Sequence, residues 1–292
     1  MASIKEYNRK LASLKNTVKI TKTMKMVSAS KLKRAQDKQN SAKDYAREVN
    51  NLIFRIAGAV EQSIHPLLEP KAEVKKVLLL VYTSDKGLCG GFNNNLIKFL
   101  RRQIIALEGE GKEVRLSHCG RRGHAAFQKT GKVFKNYPGV TALPSSRDAT
   151  EIADELIEAF TGNEFDEVHI VYNRFQSAIS QTPSVAQVLP LSLGDVAQHD
   201  ADAKQAGADD FIAEPEMGAL LSALIPKLVV FKIFYALLEN SAGEHGARMS
   251  AMDAATGNAS QMIDDYTLLR NRARQAAITT ELIEIIAGAE AI

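Results

Sequence analysis

Apolar positions recur every three or four residues over two long stretches at opposite ends of the chain. Across residues 216–287 the seam runs Met217, Leu221, Leu224, Leu228, Phe231, Tyr235, Leu238, Ala242, His245, Met249 and Met252. It continues more weakly through Thr256, Ala259, Ile263, Tyr266, Arg270, Ala273 and Ala277. Alternating steps of three and four are the spacing of a coiled-coil seam. Pro226 interrupts it near its start, where a proline costs a helix least. One helix over this stretch would be about 100 Å long, more than a domain's width, so it needs a partner along its length. Residues 3–60 hold no proline and one glycine, Gly58, and carry a second seam: Ile4, Tyr7, Leu11, Leu14, Val18, Thr21, Lys25, Ser28, Leu32, Ala35, Gln39, Ala42, Ala46, Val49, Ile53 and Ile56. It predicts a helix of roughly 80 Å whose middle, residues 21–39, is poor in large apolar side chains. The two can cover each other as an antiparallel pair if everything between them folds as a compact insert.

Between them the pattern changes. Pro66 and Pro70 mark a linker, and residues 77–82 form a short apolar run of the kind a buried parallel strand shows. A glycine-rich turn follows at residues 84–91, then a helix over 93–107 with Leu96, Ile97, Leu100, Ile104 and Leu107 on one face. Further strands are predicted at 113–117, 133–134 and 168–173, and an edge strand at 183–189, which a leading proline suits. Short helices are predicted over 122–129 and, capped by Asp148, to about Phe160. Strands alternating with helices argue for an α/β sheet domain. The expected boundaries are 1–62 for the first coiled-coil helix, 75–212 for the α/β domain and 213–292 for the last helix, with residues 194–210 a polar loop of partial helix.

Charge adds an asymmetry that the pattern does not show. The net charge is only +3, yet residues 1–60 carry fourteen Lys and Arg against four acids, which leaves −7 for the rest. An extended basic surface suits an acidic protein partner, nucleic acid or anionic lipid, and it is equally what a solvated helix face looks like. Two cysteines, Cys89 and Cys119, do not make a disulfide scaffold and fit a reducing compartment. No apolar run reaches the roughly 18 residues a membrane span needs. The N-terminus carries no apolar signal core, and with the helical seam starting at Ile4 no leader is expected.

Candidate chemistry is thin. The turn holding Lys86, Gly87 and Cys89 follows a strand and opens a helix, as phosphate-binding loops do, but it lacks both the Gly-x-x-x-x-Gly-Lys-Ser/Thr order and Gly-x-Gly-x-x-Gly. A structural or contact loop is the preferred reading, with an enzyme using this loop on a nucleotide as an alternative. The six histidines are scattered. His118, Cys119 and His124 have no second cluster to complete a tetrahedral metal site. No catalytic residue, metal or cofactor is expected. Residues 241–260 are distinctive: thirteen of the twenty are Ala, Gly, Ser or Thr. Gly243, Gly246 and Gly257 each cost a helix about 1 kcal/mol relative to Ala, a loss that thinness or close approach would explain. Just before them, residues 228–238 are apolar almost all round and need cover on several sides.

Four blocks carry a resemblance over the whole chain. They are Ile20-Thr21-Lys22-Thr23-Met24-Lys25-Met26-Val27-Ser28-Ala29-Ser30-Lys31-Leu32; Ser84-Asp85-Lys86-Gly87-Leu88-Cys89-Gly90-Gly91-Phe92-Asn93; residues 244–259, which begin Glu244-His245-Gly246-Ala247-Arg248-Met249; and residues 271–282, which hold Arg274-Gln275. In order and spacing they resemble the gamma subunit of F-type ATP synthase. The resemblance implies a non-catalytic rotor shaft, built as a long antiparallel coiled coil with a Rossmann-like α/β domain inserted. Its implied partners are an alternating ring of three alpha and three beta subunits, an epsilon subunit and a membrane c-ring, with no nucleic acid and no membrane insertion. It implies that Arg274 and Gln275 contact a beta subunit near the shaft tip, that Arg248 is a second contact arginine, and that Met24, Lys22 and Lys25 belong to the coupling region of the first helix. Three parts of the last helix are then expected: an apolar foot at 228–238, a slim axle paired with the first helix at 241–263, and an unpaired tip from Tyr266 onward. Residues 194–210 hold no cysteine, so thiol control of the plant plastid type is not expected. The expected location is the cytoplasmic face of a bacterial inner membrane, or the inner face of an organellar one. The competing reading is a basic coiled-coil protein that binds nucleic acid.

Overall fold

The computed structural model describes residues 4–57, 65–192 and 217–290, with side chains left out of account over 43–57 and at 217, 219, 221 and 290. The expected loop at 194–210 lies outside these residues. The elements are α1 (Ile4–Ala57), β1 (Lys76–Tyr82), α2 (Phe92–Gly109), β2 (Glu113–Cys119), α3 (Arg121–Phe127), β3 (Val133–Tyr137), α4 (Ser146–Thr161), β4 (Glu167–Phe175), β5 (Gln181–Leu189) and α5 (Met217–Glu290). The chain divides into two compact units, one of Met1–Ala29 with Arg248–Ile292, the other Ser30–Ala247, and α1 and α5 contribute to both.

The larger unit is a five-stranded sheet in the order β3-β2-β1-β4-β5. β1 pairs in parallel with β2 and β4, and β4 pairs antiparallel with β5. β1 lies at the centre, and residues 77–82 are buried on both faces, which is why they read as an unbroken apolar run. Leu96, Leu100 and Ile104 of α2 and Phe127 of α3 cover the face shown by Val77, Leu79 and Val81. Ile152, Leu156 and Phe160 of α4, with Ile225, Leu228, Val229, Ile233 and Leu237 of α5, cover the face shown by Leu78, Leu80 and Tyr82. The start of α5 is thus one layer of the sheet domain as well as a pairing partner for α1. This double duty explains its apolar surround. Pro226 lies inside the helix, one residue beyond buried Ile225.

Two details differ from the expected ones. Ser145, not Asp148, caps α4: its hydroxyl accepts from the Asp148 N–H at 3.2 Å and donates to the Asp148 carboxylate at 2.7 Å. Asp148, the third helical residue, answers the serine as in a capping box, but its carboxylate takes the serine hydroxyl rather than the serine N–H. β5 is an edge strand as expected, but it starts before its proline, and Pro183 sits opposite Asn173 in a strand paired on one side only, where a residue without an N–H is tolerated.

In the smaller unit, every seam position of α1 from Ile4 to Ser28 is buried or half-buried, as is every seam position of α5 from Met249 to Ala277. Successive contacts pair rising numbers on α1 with falling numbers on α5, so the helices are antiparallel: Tyr7 meets Tyr266 at 6.3 Å between ring centroids, Thr21 meets Thr256, and Lys25 meets Asp253.

Candidate functional site: the paired helices and the β1–α2 turn

The weak middle of the α1 seam is polar for a reason visible in the pairing. Thr21 is 8 % exposed, and its hydroxyl lies 2.7 Å from that of Thr256. Thr256 donates in turn to the Met252 carbonyl at 2.7 Å. One turn on, the Lys25 ammonium reaches Asp253 at 2.6 Å, in a pair open enough to solvent to add little stability. Small and polar seam residues let the two backbones come close, and hydrogen bonds fix the register that large side chains would otherwise set.

Met24 is half-buried beside this contact, and Lys22 is exposed. Ile20, Met26 and Val27 turn outward, 60 %, 65 % and 51 % exposed. Arg248 is buried, whereas Arg274 and Gln275 are exposed. The pairing also runs further than the fading seam suggests. Tyr266 packs on Tyr7 and carries the Lys10 ammonium over its ring at 5.2 Å, and half-buried positions continue to Ala277. The open end of α5 therefore begins beyond Tyr266 rather than at it, and it is uniformly exposed from Ile278. From there to residue 289 every position is exposed, including Ile278, Leu282, Ile283, Ile285 and Ile286.

The small-residue stretch also divides differently from the expected axle. Residues 241–246 are all buried, and their glycines face the sheet domain rather than the other helix. A Cβ on Gly243 would sit 3.0 Å from the Phe92 ring, and one on Gly246 3.1 Å from the Ala178 Cα. At Gly257 no atom lies within 4 Å of such a Cβ.

The glycine-rich turn is closed by its own side chains. Asn93 accepts from the Ser84 N–H at 2.9 Å and donates to the Ser84 hydroxyl at 2.7 Å and to the Cys89 sulfur at 3.2 Å. Ser84 donates to the Lys86 carbonyl, and Asp85 accepts from the Arg121 N–H at 2.9 Å, tying the turn to the start of α3. Leu88 and Gly90 take positive φ, 63° and 58°. A Cβ on Gly87 would meet the Arg122 guanidinium at 2.9 Å. Cys89 is buried, Lys86 is exposed, and Leu88 stands 63 % exposed at the crest. The Ser84 hydroxyl and the Asn93 side-chain amide are thus engaged within the turn itself.

The other candidates are structural. Burial pushes the Cys119 thiol well above its ordinary range, which makes it a poor nucleophile. His118 is fully buried, stacked on Phe127 and edge-on to His124, and burial with the neighbouring His124 lowers its pKa to about 4. Among the described residues no group of three or more His, Cys, Asp or Glu is placed to hold a metal, and no helix is long and apolar enough to cross a membrane.

Sequence reasoning missed one cluster. Glu239 of α5 is 5 % exposed, and burial raises its carboxyl, opposed by the nearby Tyr172 hydroxyl, Arg174 charge and Phe175 N–H. A glutamate within an apolar helical stretch was the signal.

The arrangement defines a class: a scaffold of terminal helices paired antiparallel around an inserted α/β sheet, with its distinctive surfaces on the helices and one domain turn. A family model described as ATP synthase matches residues 3–292. The ATP synthase gamma chain of Trichlorobacter lovleyi is 44 % identical over 292 residues, covering 100 % of this chain and 99 % of its own. That of Paracoccus denitrificans is 41 % identical over 298 residues, covering 100 % of both. In solved structures, a chain of the Euglena gracilis mitochondrial ATP synthase superposes with a TM-score of 0.67 at 21 % identity, covering 99 % of this chain and 94 % of that one. A central-stalk chain of the Tetrahymena thermophila enzyme gives 0.59 at 24 % identity, over 81 % and 99 %. The chain belongs to the ATP synthase gamma chain family.

Proposed function

We propose that the chain is the central rotor shaft of an F-type ATP synthase, turning inside a ring of three alpha and three beta subunits and carrying motion between that ring and a membrane c-ring, with an epsilon subunit at its foot. It is a non-catalytic subunit, peripheral to the membrane. The observation that carries this reading is the open end of α5. From Ile278 to residue 289 a helix shows five large apolar side chains to its surroundings, each at least half exposed. A ring of subunits closing around that end would bury them.

The shaft does no chemistry in this reading. Its surface is asymmetric, so each angle presses differently on each catalytic subunit and biases it between open and closed states. Arg274 and Gln275 are the exposed contacts nearest the tip. Met24, Lys22 and Lys25 form a coupling face on α1, and Arg248 supports a second contact from its buried position. Lys86, Gly87 and Cys89 shape a contact loop on the domain. The division into a first helix at 1–62, a sheet domain at 75–212 and a last helix at 213–292 describes these working parts. The working location is the cytoplasmic face of a bacterial inner membrane, or the inner face of an organellar one.

Family membership leaves the nucleic-acid reading without support. The charge of α1 is also partly answered within the pair, by Asp253 on Lys25. The test is co-purification: the tagged chain is expected to bring down a much larger complex that hydrolyses ATP, while the isolated chain hydrolyses none. ATP hydrolysis by the purified chain alone would sink the account.

A further inference from the structure

The sheet domain carries a second basic surface, separate from α1. Residues 61–292 total −7, yet residues 86–132 within them hold ten Lys and Arg against three acids, a net of +7. On α2, Lys98, Arg101, Arg102 and Ile105 stand at i, i+3, i+4 and i+7, one stripe of the helix. All four are exposed, Ile105 to 70 %. Contacts join this stripe to the neighbouring elements. The Arg101 guanidinium lies 5.5 Å over the Phe127 ring of α3. The Arg122 guanidinium reaches Gly87 in the β1–α2 turn, beside exposed Lys86. Arg121 and Lys129, at the two ends of α3, are exposed as well.

This charge is placed against the stability of the domain. Lys98 faces Arg101 and Arg102 three and four residues on, and like charges at those spacings weaken a helix. Arg121 and Arg122 occupy the first turn of α3, the positive end of its dipole, and neither α2 nor α3 has an acid in its first turn. Acids answer only the rim. Glu108 pairs with Lys132, and Asp85 lies 3.8 Å from the Arg121 guanidinium. Among the described residues, Lys98, Arg101, Arg102, Arg122 and Lys129 form no ion pair. Their charge is left for something outside the domain.

We propose that the α2–α3 face docks on an anionic membrane surface, with its cations on lipid phosphates and Ile105 against the headgroups. The choice of occupant rests on the shaft reading, which sets the chain beside a membrane. Clusters of about four to eight cations suit anionic headgroups. This face exposes Lys86, Lys98, Arg101, Arg102, Arg121, Arg122 and Lys129. Its arginines can each give a phosphate two parallel hydrogen bonds. A large apolar side chain among cations also suits a lipid interface. Headgroups are mobile and alike in every direction, so a turning rotor keeps such a contact at each angle. An acidic loop on a fixed partner would hold it at one.

Sedimentation of the full chain with vesicles tests this without any other subunit. Co-purification decides the shaft reading and vesicle binding decides the docking face, so the two can fail separately. Wild-type chain is expected to bind vesicles of phosphatidylcholine and phosphatidylglycerol in equal parts, to leave pure phosphatidylcholine alone, and to come off as salt rises. No binding to the anionic vesicles overturns the proposal. Because α1 is basic too, two variants of equal charge are compared. Lys98→Gln, Arg101→Gln and Arg102→Gln together should weaken binding at least about tenfold, given about fivefold per cation near an anionic leaflet. Lys15→Gln, Lys19→Gln and Lys33→Gln together, on the exposed side of α1, should weaken it distinctly less. Equal losses would reduce the binding to net charge and overturn the proposal. Ile105→Glu sets a carboxylate among the cations at an exposed position and should weaken binding several-fold. Unchanged binding there overturns the proposal even if the triple variant fails to fold. Inorganic phosphate at matched ionic strength should leave the chain on the vesicles; release by it would assign an isolated anion site instead. If the α2 variant kept its vesicle binding and lost binding to polyglutamate, the face would belong to an acidic protein, and the lipid proposal would fall.

Discussion

Thr21 and Thr256 meet hydroxyl to hydroxyl at 2.7 Å inside the helix pair, 235 residues apart in sequence. Thr256 spends its proton on the Met252 carbonyl at 2.7 Å, so Thr21 is the donor between them, with the Val18 carbonyl at 3.2 Å as its alternative. This contact reports register directly, because sliding one helix by a turn separates the two.

Replacing either threonine by valine keeps shape and removes the bond. Thr256→Val leaves Thr21 its own Val18 carbonyl, so the cost should be about 1 kcal/mol. Thr21→Val should cost a similar amount, and the double variant less than the sum, because both singles break the same bond. Urea unfolding of the isolated chain, followed by helical circular dichroism, measures all three. Strict additivity would mean that the two hydroxyls do not interact in solution.

Two glycines of α5 should respond in opposite senses. Gly257 has no neighbour within 4 Å, so Gly257→Ala should stabilise the isolated chain by up to about 1 kcal/mol through helix propensity alone. Gly246→Val drives a branched side chain into the Ala178 backbone, 3.1 Å from Cα and 3.3 Å from O, and should cost about 1–3 kcal/mol. Thermal melts of the two variants beside wild type settle the signs.

The same glycines mark what sequence could and could not reveal. The seams were legible, because a period between three and four survives even where its members are Thr, Lys and Ser, and each described seam residue is buried or half-buried. The sheet was legible from the doubly buried run of β1 and from the proline of β5. What covers Gly243 and Gly246 was not, because a glycine signals close approach without naming the neighbour. Here the neighbours belong to the sheet domain, far off in sequence. The end of the helix pairing was misjudged for a related reason. A fading apolar seam at Tyr266 hides contacts made by an aromatic pair and a cation over a ring. Glu239 escaped because a lone acid in a helix resembles a solvated position until the strand against it is known.

Arg274 and Arg248 should separate contact from structure. Arg274 is exposed, so Arg274→Ala should leave the melting temperature of the isolated chain unchanged and alter turnover or coupling in the assembled complex, without abolishing nucleotide binding there. Arg248 is 8 % exposed, so Arg248→Ala should lower the melting temperature of the chain itself. Paired measurements on chain and complex check both. Unaltered turnover with Arg274→Ala would remove that residue from the proposed contact.

His118 sets a pH limit on the sheet domain. Its imidazole is fully buried, stacked on Phe127 beside His124, and its pKa is lowered to about 4 from an ordinary value near 6.5. The unfolded chain therefore takes up this proton first. Stability from His118 is whole above pH 6.5, falls as the pH drops through the window from about 6.5 to about 4, and changes no further below it. The full loss corresponds to about 3 kcal/mol. His118→Leu keeps an apolar group against Phe127 and cannot take up the proton, so it should flatten this part of the profile. Urea midpoints measured from pH 7 to pH 4 for wild type and His118→Leu give the comparison. Parallel profiles would show that the imidazole is protonated at its ordinary pH in the folded chain, and that the packing of β2 against α3 opens to water.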